Sequence, residues 1–274
     1  MAKRRKTGQG GAGLLAYAIF YLAFLYVPVM FLPLFSFNDS QFIAFPLTGF
    51  TTRWYMKAFA DTAMLSALWN SLKVGVTAAI LSTVLGLLAA RALTRYRVPG
   101  GAGLLAFTNL PLFIPDIVLG ISLLLLLNTV GISLSLMTVV LGHLLICVPF
   151  AITVLMSRFD GFDKSLEEAS LDLGETGWMT FWRVTFPLVL PGVISSLLLT
   201  FIVSFDEFLI AYFLAGNDTT LPIYIWAALR FPSKLPQVLA LGAMIIAGSS
   251  IMVVFAEWIR SLGVEEGRRP TVGA

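Results

Sequence analysis

The sequence has few of the side chains that build metal centres, disulfides or catalytic sites. Its 274 residues include one His and one Cys, and only 12% are charged. A single Cys excludes an intrachain disulfide, and so few imidazole and thiol groups exclude a protein-built zinc, copper or iron–sulfur site. His143 and Cys147 lie four positions apart in one apolar stretch, so we expect helix contacts from them rather than metal binding. Hydrolase triads and Gly-rich phosphate loops are also missing, so no catalytic residue is predicted.

Apolar side chains dominate the chain instead. Hydrophobic residues make up 58% of it, and the mean hydropathy is +0.90. A soluble domain of this length could not bury so much apolar surface. A helix needs about 20 apolar residues to cross a bilayer, and six stretches provide them. They lie at about 14–36, 66–90, 102–127, 134–157, 188–213 and 238–259. The predicted fold is therefore an all-α, multi-pass membrane domain of six spans at 14–259.

Basic residues fall into two unequal groups in the connections between these stretches. One side would hold five of them: Arg53, Lys57, Lys73, Arg230 and Lys234. The other side would hold thirteen: Lys3, Arg4, Arg5, Lys6, Arg91, Arg95, Arg97, Arg158, Lys164, Arg183, Arg260, Arg268 and Arg269. Because Lys and Arg are enriched in cytoplasmic connections, both termini are predicted to be cytoplasmic, with tails at 1–13 and 260–274. The first tail is predicted to face membrane lipid, and no solvated basic face for nucleic acid is expected.

A long connection at 158–187 lies between spans four and five, on the predicted cytoplasmic side. Ser165 and Glu168 have the spacing of a capping box, which predicts that a helix begins at Ser165. Acidic side chains surround one face of this helix, and its other face is apolar. The apolar positions are Leu166, Ala169 and Leu173.

The same connection contains a predicted break and a second short helix. Gly174 suits the left-handed conformation that commonly ends a helix. The break is expected at 174–177, and the second helix, at 179–184, is predicted to end at Pro187. A short helix beside a Gly hinge can move as a rigid body and transmit a push to neighbouring elements.

The order of residues in this connection resembles the EAA loop of binding-protein-dependent ABC importer permeases. The family pattern is Glu-Ala-Ala, three residues, Gly, nine residues, then Ile-x-Leu-Pro. The positions that match it without a gap are Glu168, Ala169, Ser170, Gly174, Val184, Phe186 and Pro187. In that family the loop supplies a coupling helix that docks on the ATPase subunit. The resemblance therefore implies an ATPase-coupling role for Glu168, Ala169, Ser170, Gly174 and Pro187. The alternative is a helix lying on the membrane surface, although such helices are usually basic.

Five further stretches resemble the permeases of spermidine/putrescine-type importers. They are GFTTRWY at 49–55, PDIVLGISL at 115–123, SRFDGFD at 157–163, SFDEF at 204–208 and TLP at 220–222. The resemblance implies a non-catalytic subunit of the bacterial inner membrane that forms half of the path for a polyamine or related cation. Opines, aminophosphonates, iron and thiamine are cargoes of other relatives and stay open.

The same resemblance implies a set of partners. They are a homologous permease subunit in a heterodimer, two ATPase subunits and a periplasmic solute-binding protein. ATP and Mg would be bound by the ATPase subunits, and no cofactor is expected in this chain.

Three acidic residues fall within the predicted spans, where a charge is costly and indicates function. Asp116 in span three and Asp206 and Glu207 in span five would offset the ammonium groups of a cationic cargo. Trp226 and Tyr224 would add cation–π contacts. Three alternatives stay open: the acids cap broken helices, they pair with a partner subunit, or they are ion sites of a proton- or sodium-coupled secondary transporter.

Overall fold

A computed structural model describes the backbone of residues 10–264 and the side chains of residues 13–251. This part of the chain is helical, and its one β-bridge joins Asn38 to Phe50. Short 3₁₀ segments lie at Leu110–Phe113 and Pro232–Lys234, and a π-helical segment lies at Phe181–Thr185. The α-helices are α1 (Gly10–Ser36), α2 (Arg53–Ala60), α3 (Thr62–Arg95), α4 (Gly101–Asn109), α5 (Asp116–Val130), α6 (Leu136–Asp160), α7 (Ser165–Asp172), α8 (Gly177–Thr180), α9 (Phe186–Asp206), α10 (Leu209–Leu214), α11 (Leu221–Ala228) and α12 (Leu235–Val264).

Five helical segments of the described chain are long and apolar enough to cross a bilayer. They are Gly13–Ser36, Thr62–Arg95, Leu136–Asp160, Gly177–Asp206 and Pro232–Ile251. A sixth span results if the bent pair formed by α4 and α5 is counted as one. The predicted number of six spans is the upper of these two counts. The helix of span two extends beyond 66–90 at both ends, because hydropathy marks only the apolar part of a helix.

The stretch predicted as span three, at about 102–127, is a bent pair of helices. Two helical segments, Gly101–Phe113 and Asp116–Val130, meet there at an angle of 102°. Pro115 causes the break, because it has no backbone N–H and disfavours a helical conformation at the residue before it. Ile114 is accordingly extended, with φ −89° and ψ 130°.

The prediction that the second short helix of the 158–187 connection ends at Pro187 is wrong. The helix that begins at Gly177 continues through this proline to Asp206. A π-helical turn at Phe181–Thr185 directly precedes it, and the Phe186 N–H donates to the Phe181 carbonyl across this wider turn. The wider turn accommodates a residue that cannot donate a backbone hydrogen bond, so the helix bulges there without ending.

The described chain separates into two compact units, the first of which joins the segment before Ala63 to the segment from Ala227 onward. In this unit α12 packs against α1 and α2. The connection after α1 is ordered around Trp54, which is 1% exposed and donates from Nε1 to the Asn38 carbonyl at 2.8 Å. Arg53 and Asp39 form an exposed ion pair beside it.

The second unit, Ala63–Trp226, contains the main helix bundle. Helix α6 packs along α9, and α10 packs against α5 and α6. Buried hydroxyl groups of Thr83 and Ser196 are 3.0 Å apart and link α3 to α9. Small residues allow the closest approach between backbones: a Cβ at Gly86 would lie 2.6 Å from the Ala151 Cβ. Such contacts are typical of packing between membrane helices, where small side chains let backbones meet.

Gly86→Leu is expected to lower the stability of the second unit. Its side chain would enter space held by Ala151 and by the backbone of Ile152, and overpacking of this kind costs about 1–3 kcal/mol. The midpoint of thermal unfolding in detergent measures the effect. Gly103→Leu is the control, because a Cβ at Gly103 meets no atom within 4 Å. Equal midpoints for the two variants would contradict the close approach of α3 and α6.

Candidate functional site

The first residue of α7, Ser165, donates a hydrogen bond to Asp163, two positions earlier in the chain. The Asp163 carboxylate accepts the Ser165 N–H at 3.0 Å, and this bond holds the pKa of Asp163 below its usual range. Because the pKa is lowered, the bond stabilises the start of α7 near neutral pH and is lost as the pH falls through that pKa. The N-cap position is Lys164, without a side-chain cap. The predicted capping box between Ser165 and Glu168 is therefore wrong, because Asp163 already satisfies the first free N–H group.

The end of α7 agrees with the prediction from the sequence. Gly174 has φ +90°, in the left-handed region. Its N–H donates to the Leu171 carbonyl at 2.9 Å, and the Glu175 N–H donates to the Ser170 carbonyl at 3.2 Å. A residue with a side chain would be strained at this φ, so the turn between α7 and α8 depends on glycine.

Much of the surface of α7 is exposed in this chain. Leu166 is 47% exposed and Leu173 is 87% exposed, and Ala169 is exposed with them. The Glu168 and Asp172 side chains are exposed as well. The helix thus presents a surface that is both apolar and acidic, which is available to another protein.

The rest of α7 is attached to the helices around it. The Ser170 and Thr180 hydroxyls are both buried and lie 3.0 Å apart. Glu167 accepts a hydrogen bond from the Thr185 hydroxyl at 2.5 Å, and its other carboxylate oxygen lies 2.8 Å from Arg95 Nε. Pro187, the last residue of the EAA-like pattern, lies just beyond the π-helical turn. Nothing in the sequence marks Arg95, Thr180 or Thr185 as functional residues, because none of them stands at a defined position of the EAA-like pattern.

The acids of the fifth span lie on either side of a helix break. Asp206 is the last residue of α9, and Glu207 is extended, with φ −69° and ψ 121°. Glu207 Oε1 accepts the Ile210 N–H at 3.0 Å, so its carboxylate caps α10. The stretch predicted as span five, at about 188–213, is therefore broken between α9 and α10. The alternative that an acid caps a broken helix is confirmed for Glu207, because this carboxylate replaces a backbone acceptor lost at the break.

The two helix breaks bring the three intramembrane acids together. Asp116 begins α5, Asp206 ends α9, and Glu207 caps α10, which packs against α5. Asp116 and Asp206 are exposed in this chain, and Glu207 is half-buried. We call these three residues the acid cluster. It concentrates negative charge at one place in the second unit, where α5 packs against α10.

Aromatic rings adjoin the acid cluster through Phe208, which follows Glu207 in the chain. The Phe208 ring centroid lies 5.6 Å from that of Tyr212 and 5.6 Å from that of Trp226. Trp226 is 49% exposed, whereas Tyr224 is buried with 8% exposure. Trp226 is therefore accessible to a ligand in this arrangement, and Tyr224 lies within the bundle.

His143 and Cys147 contact a neighbouring helix, as predicted. His143 Nδ1 lies 2.7 Å from the Ser204 hydroxyl, and Cys147 Sγ donates to the Thr200 carbonyl at 3.6 Å. Both partners belong to α9, and both side chains are buried. These polar contacts join α6 to α9, and the described residues contain no group of three side chains suited to a metal ion.

Comparison with known proteins identifies the family. Residues 82–261 match the family "Binding-protein-dependent transport system inner membrane component". The chain is 35% identical to the "Putrescine transport system permease protein PotI" of Escherichia coli (strain K12), over 89% of each chain. It is 33% identical to the "Spermidine/putrescine transport system permease protein PotC" of Haemophilus influenzae, over 89% of this chain and 95% of that protein.

Solved structures give the same fold. A bacterial ABC transporter "involved in the import of the acidic polysaccharide alginate" superposes with a TM-score of 0.64 at 17% identity, over 95% of this chain and 98% of that chain. A bacterial alginate ABC transporter in complex with "alginate pentasaccharide-bound periplasmic protein" has a TM-score of 0.65 at 17% identity, over 89% of this chain and 90% of that chain. The chain therefore belongs to the inner membrane components of binding-protein-dependent transport systems, and it is a permease subunit of an ABC importer.

Proposed function

We propose that this chain forms half of the path for a polyamine such as putrescine or spermidine. The acid cluster carries the proposal, because Asp116, Asp206 and Glu207 lie where α5 packs against α10. The half-exposed ring of Trp226 contacts Phe208, the residue that follows Glu207. Carboxylates attract ammonium groups, and an aromatic face adds cation–π attraction. The printed names of the relatives, a putrescine and a spermidine/putrescine permease, support the same cargo.

We also propose that α7 is a coupling helix that docks on an ATPase subunit. Its exposed surface carries Glu168, Ala169 and Leu173, and Gly174 ends it in a conformation that a residue with a side chain would not favour. Ser170 would act from the other side, where its hydroxyl meets that of Thr180, and Pro187 would act from the start of α9. ATP and Mg would be bound by that subunit, so this chain itself would be non-catalytic.

The proposed assembly has two permease subunits, this chain and a homologous partner, with two ATPase subunits and a periplasmic binding protein. A complex with a periplasmic protein is seen for the structural relative from the alginate system. The proposed location of the protein is the bacterial inner membrane. The distribution of basic residues favours an orientation with both termini in the cytoplasm. Residues 1–9 and 265–274 of the proposed tails lie outside the described chain.

Two alternatives have less support. Opines, aminophosphonates, iron and thiamine would use the same type of importer, but no residue of the acid cluster favours them over a polyamine. An ion-coupled secondary transporter has no ATPase subunit to dock on α7 and needs no periplasmic binding protein, so it would not explain the exposed surface of that helix.

Purification and solute binding test these proposals separately. An affinity-tagged chain, expressed with its partner subunits and solubilised in detergent, should retain the ATPase subunit. The cognate periplasmic protein should bind putrescine or spermidine by calorimetry. A chain that transports alone would contradict the ATPase partnership. A periplasmic protein that selects an anionic solute would contradict the polyamine cargo and would leave the membership in the permease family unchanged.

A further inference from the structure

A buried ion pair joins α7 to the end of α3. Arg95, the last residue of α3, lies 2.8 Å from Glu167 through its Nε atom. The two side chains are only 8% and 15% exposed. Removing two charges from water is costly unless further contacts satisfy them. Because this cost offsets much of the attraction between the charges, the pair adds little net stability, and its main effect is to fix the positions of the two helices.

Arg95 makes a hydrogen bond and a ring contact beyond the ion pair, although its buried Nη1 has no hydrogen-bond partner among the described residues. Its Nη2 donates to the Phe159 carbonyl at 3.3 Å, near the end of α6. Its guanidinium group also lies 4.4 Å from the centre of the Phe162 ring, in the segment that follows α6. The side chain therefore connects the ends of α3 and α6.

Glu167 makes the remaining connection. One carboxylate oxygen pairs with Arg95, and the other accepts the Thr185 hydroxyl at 2.5 Å. Thr185 ends the π-helical turn that leads into α9. One carboxylate on α7 is therefore linked to α3 and α9, and through Arg95 also to α6.

We infer that Arg95 and Glu167 are positioning residues that make α3, α6 and α9 move together with α7. The inference depends on the proposed docking of α7 on the ATPase subunit. A buried ion pair in a low-dielectric setting holds its partners more firmly than an exposed pair does. Coupling of this kind needs packed elements that shift as a unit. Without the pair, α7 would follow the ATPase subunit and the three helices would lag behind it.

Glu167→Gln tests the inference in the full transporter, reconstituted in proteoliposomes with its partner subunits and periplasmic protein. The variant keeps an amide oxygen for the Thr185 hydroxyl and removes the charge that pairs with Arg95. We expect ATPase retention and ATP hydrolysis to persist, while putrescine transported per ATP hydrolysed falls about tenfold. Arg183→Gln is the matched control, because it breaks the more exposed pair with Glu175 in the same connection and should leave this ratio unchanged.

Two further variants separate positioning from a general loss of structure. Arg95→Lys keeps the charge but loses the planar fork that reaches both Glu167 and Phe159, so it should lower the ratio too. The double variant Arg95→Gln with Glu167→Gln leaves no buried charge without a partner. Its ratio of putrescine transported to ATP hydrolysed should be higher than that of Glu167→Gln alone. An unchanged ratio in both single variants would overturn the inference, and so would loss of the ATPase subunit from Glu167→Gln. Failure of the unaltered chain to retain the ATPase subunit would overturn the proposed docking itself.

Discussion

Glu168→Arg is expected to abolish ATP-driven uptake by releasing the ATPase subunit from this permease. Glu168 is exposed on the acidic side of α7, and Leu166 and Leu173 are exposed on its apolar side. A partner that fits an acidic, apolar face must itself be apolar and basic, and an unmatched like charge across such an interface costs several kcal/mol. We expect the ATPase subunit that co-purifies with the chain to fall at least about tenfold. Quantitative gel analysis of the affinity-purified complex measures this loss, and proteoliposome uptake measures its consequence.

Controls separate docking from a general effect of charge. Glu168→Gln removes the charge without reversing it and should give an intermediate loss. Asp160→Arg makes the same change of charge at another exposed acid, outside α7, and should retain the ATPase subunit. Equal retention in Glu168→Arg and Asp160→Arg would show that this face of α7 is not the docking surface.

The local features of α7 differ in how far the sequence could predict them. The left-handed turn at Gly174 was predictable, because glycine has a specific conformational role there. The helix start was not, because Ser165 with Glu168 and Asp163 with Ser165 are both plausible caps by residue type. Only the geometry shows that the Asp163 carboxylate takes the free N–H.

The breaks in spans three and five do not show in the hydropathy of the sequence. Hydropathy averages over many residues, so Ile114 and Glu207 are merged into apolar stretches although both are extended. Pro115 was a visible signal for the first break. The second break had a weaker signal, because an acid in an apolar span can either face a ligand or cap a helix, and Glu207 is seen to cap α10.

The connection through Arg95 and Glu167 could not be predicted from spacing. The two residues are far apart in sequence, and each has an ordinary local explanation as a basic residue at a span end or an acid on a surface helix. Burial changes that interpretation, because two side chains at 8% and 15% exposure require mutual pairing. Long-range packing decides this contact, and residue type does not.

Neutralising two acids of the cluster, with Asp206→Asn and Glu207→Gln together, is expected to reduce polyamine uptake strongly. Gln at position 207 still offers an oxygen to the Ile210 N–H, so the cap of α10 is kept while the charge is removed. Two unit charges ~8 Å apart attract by about 2 kcal/mol at an effective dielectric constant of about 20. Losing one such attraction corresponds to about thirtyfold in rate. Initial uptake rates of labelled putrescine measure the change.

The charge on the cargo distinguishes an electrostatic role from a structural one. Spermidine has three ammonium groups and putrescine two, so loss of carboxylates should slow spermidine uptake by the larger factor. Asp218→Asn is the control, because it neutralises another exposed acid of the same unit and should leave both rates unchanged. Glu207→Ala removes both the cap and the charge. If it slows both amines equally while the isosteric double variant transports them normally, Glu207 acts only as the cap of α10 and the acid cluster does not guide the cargo.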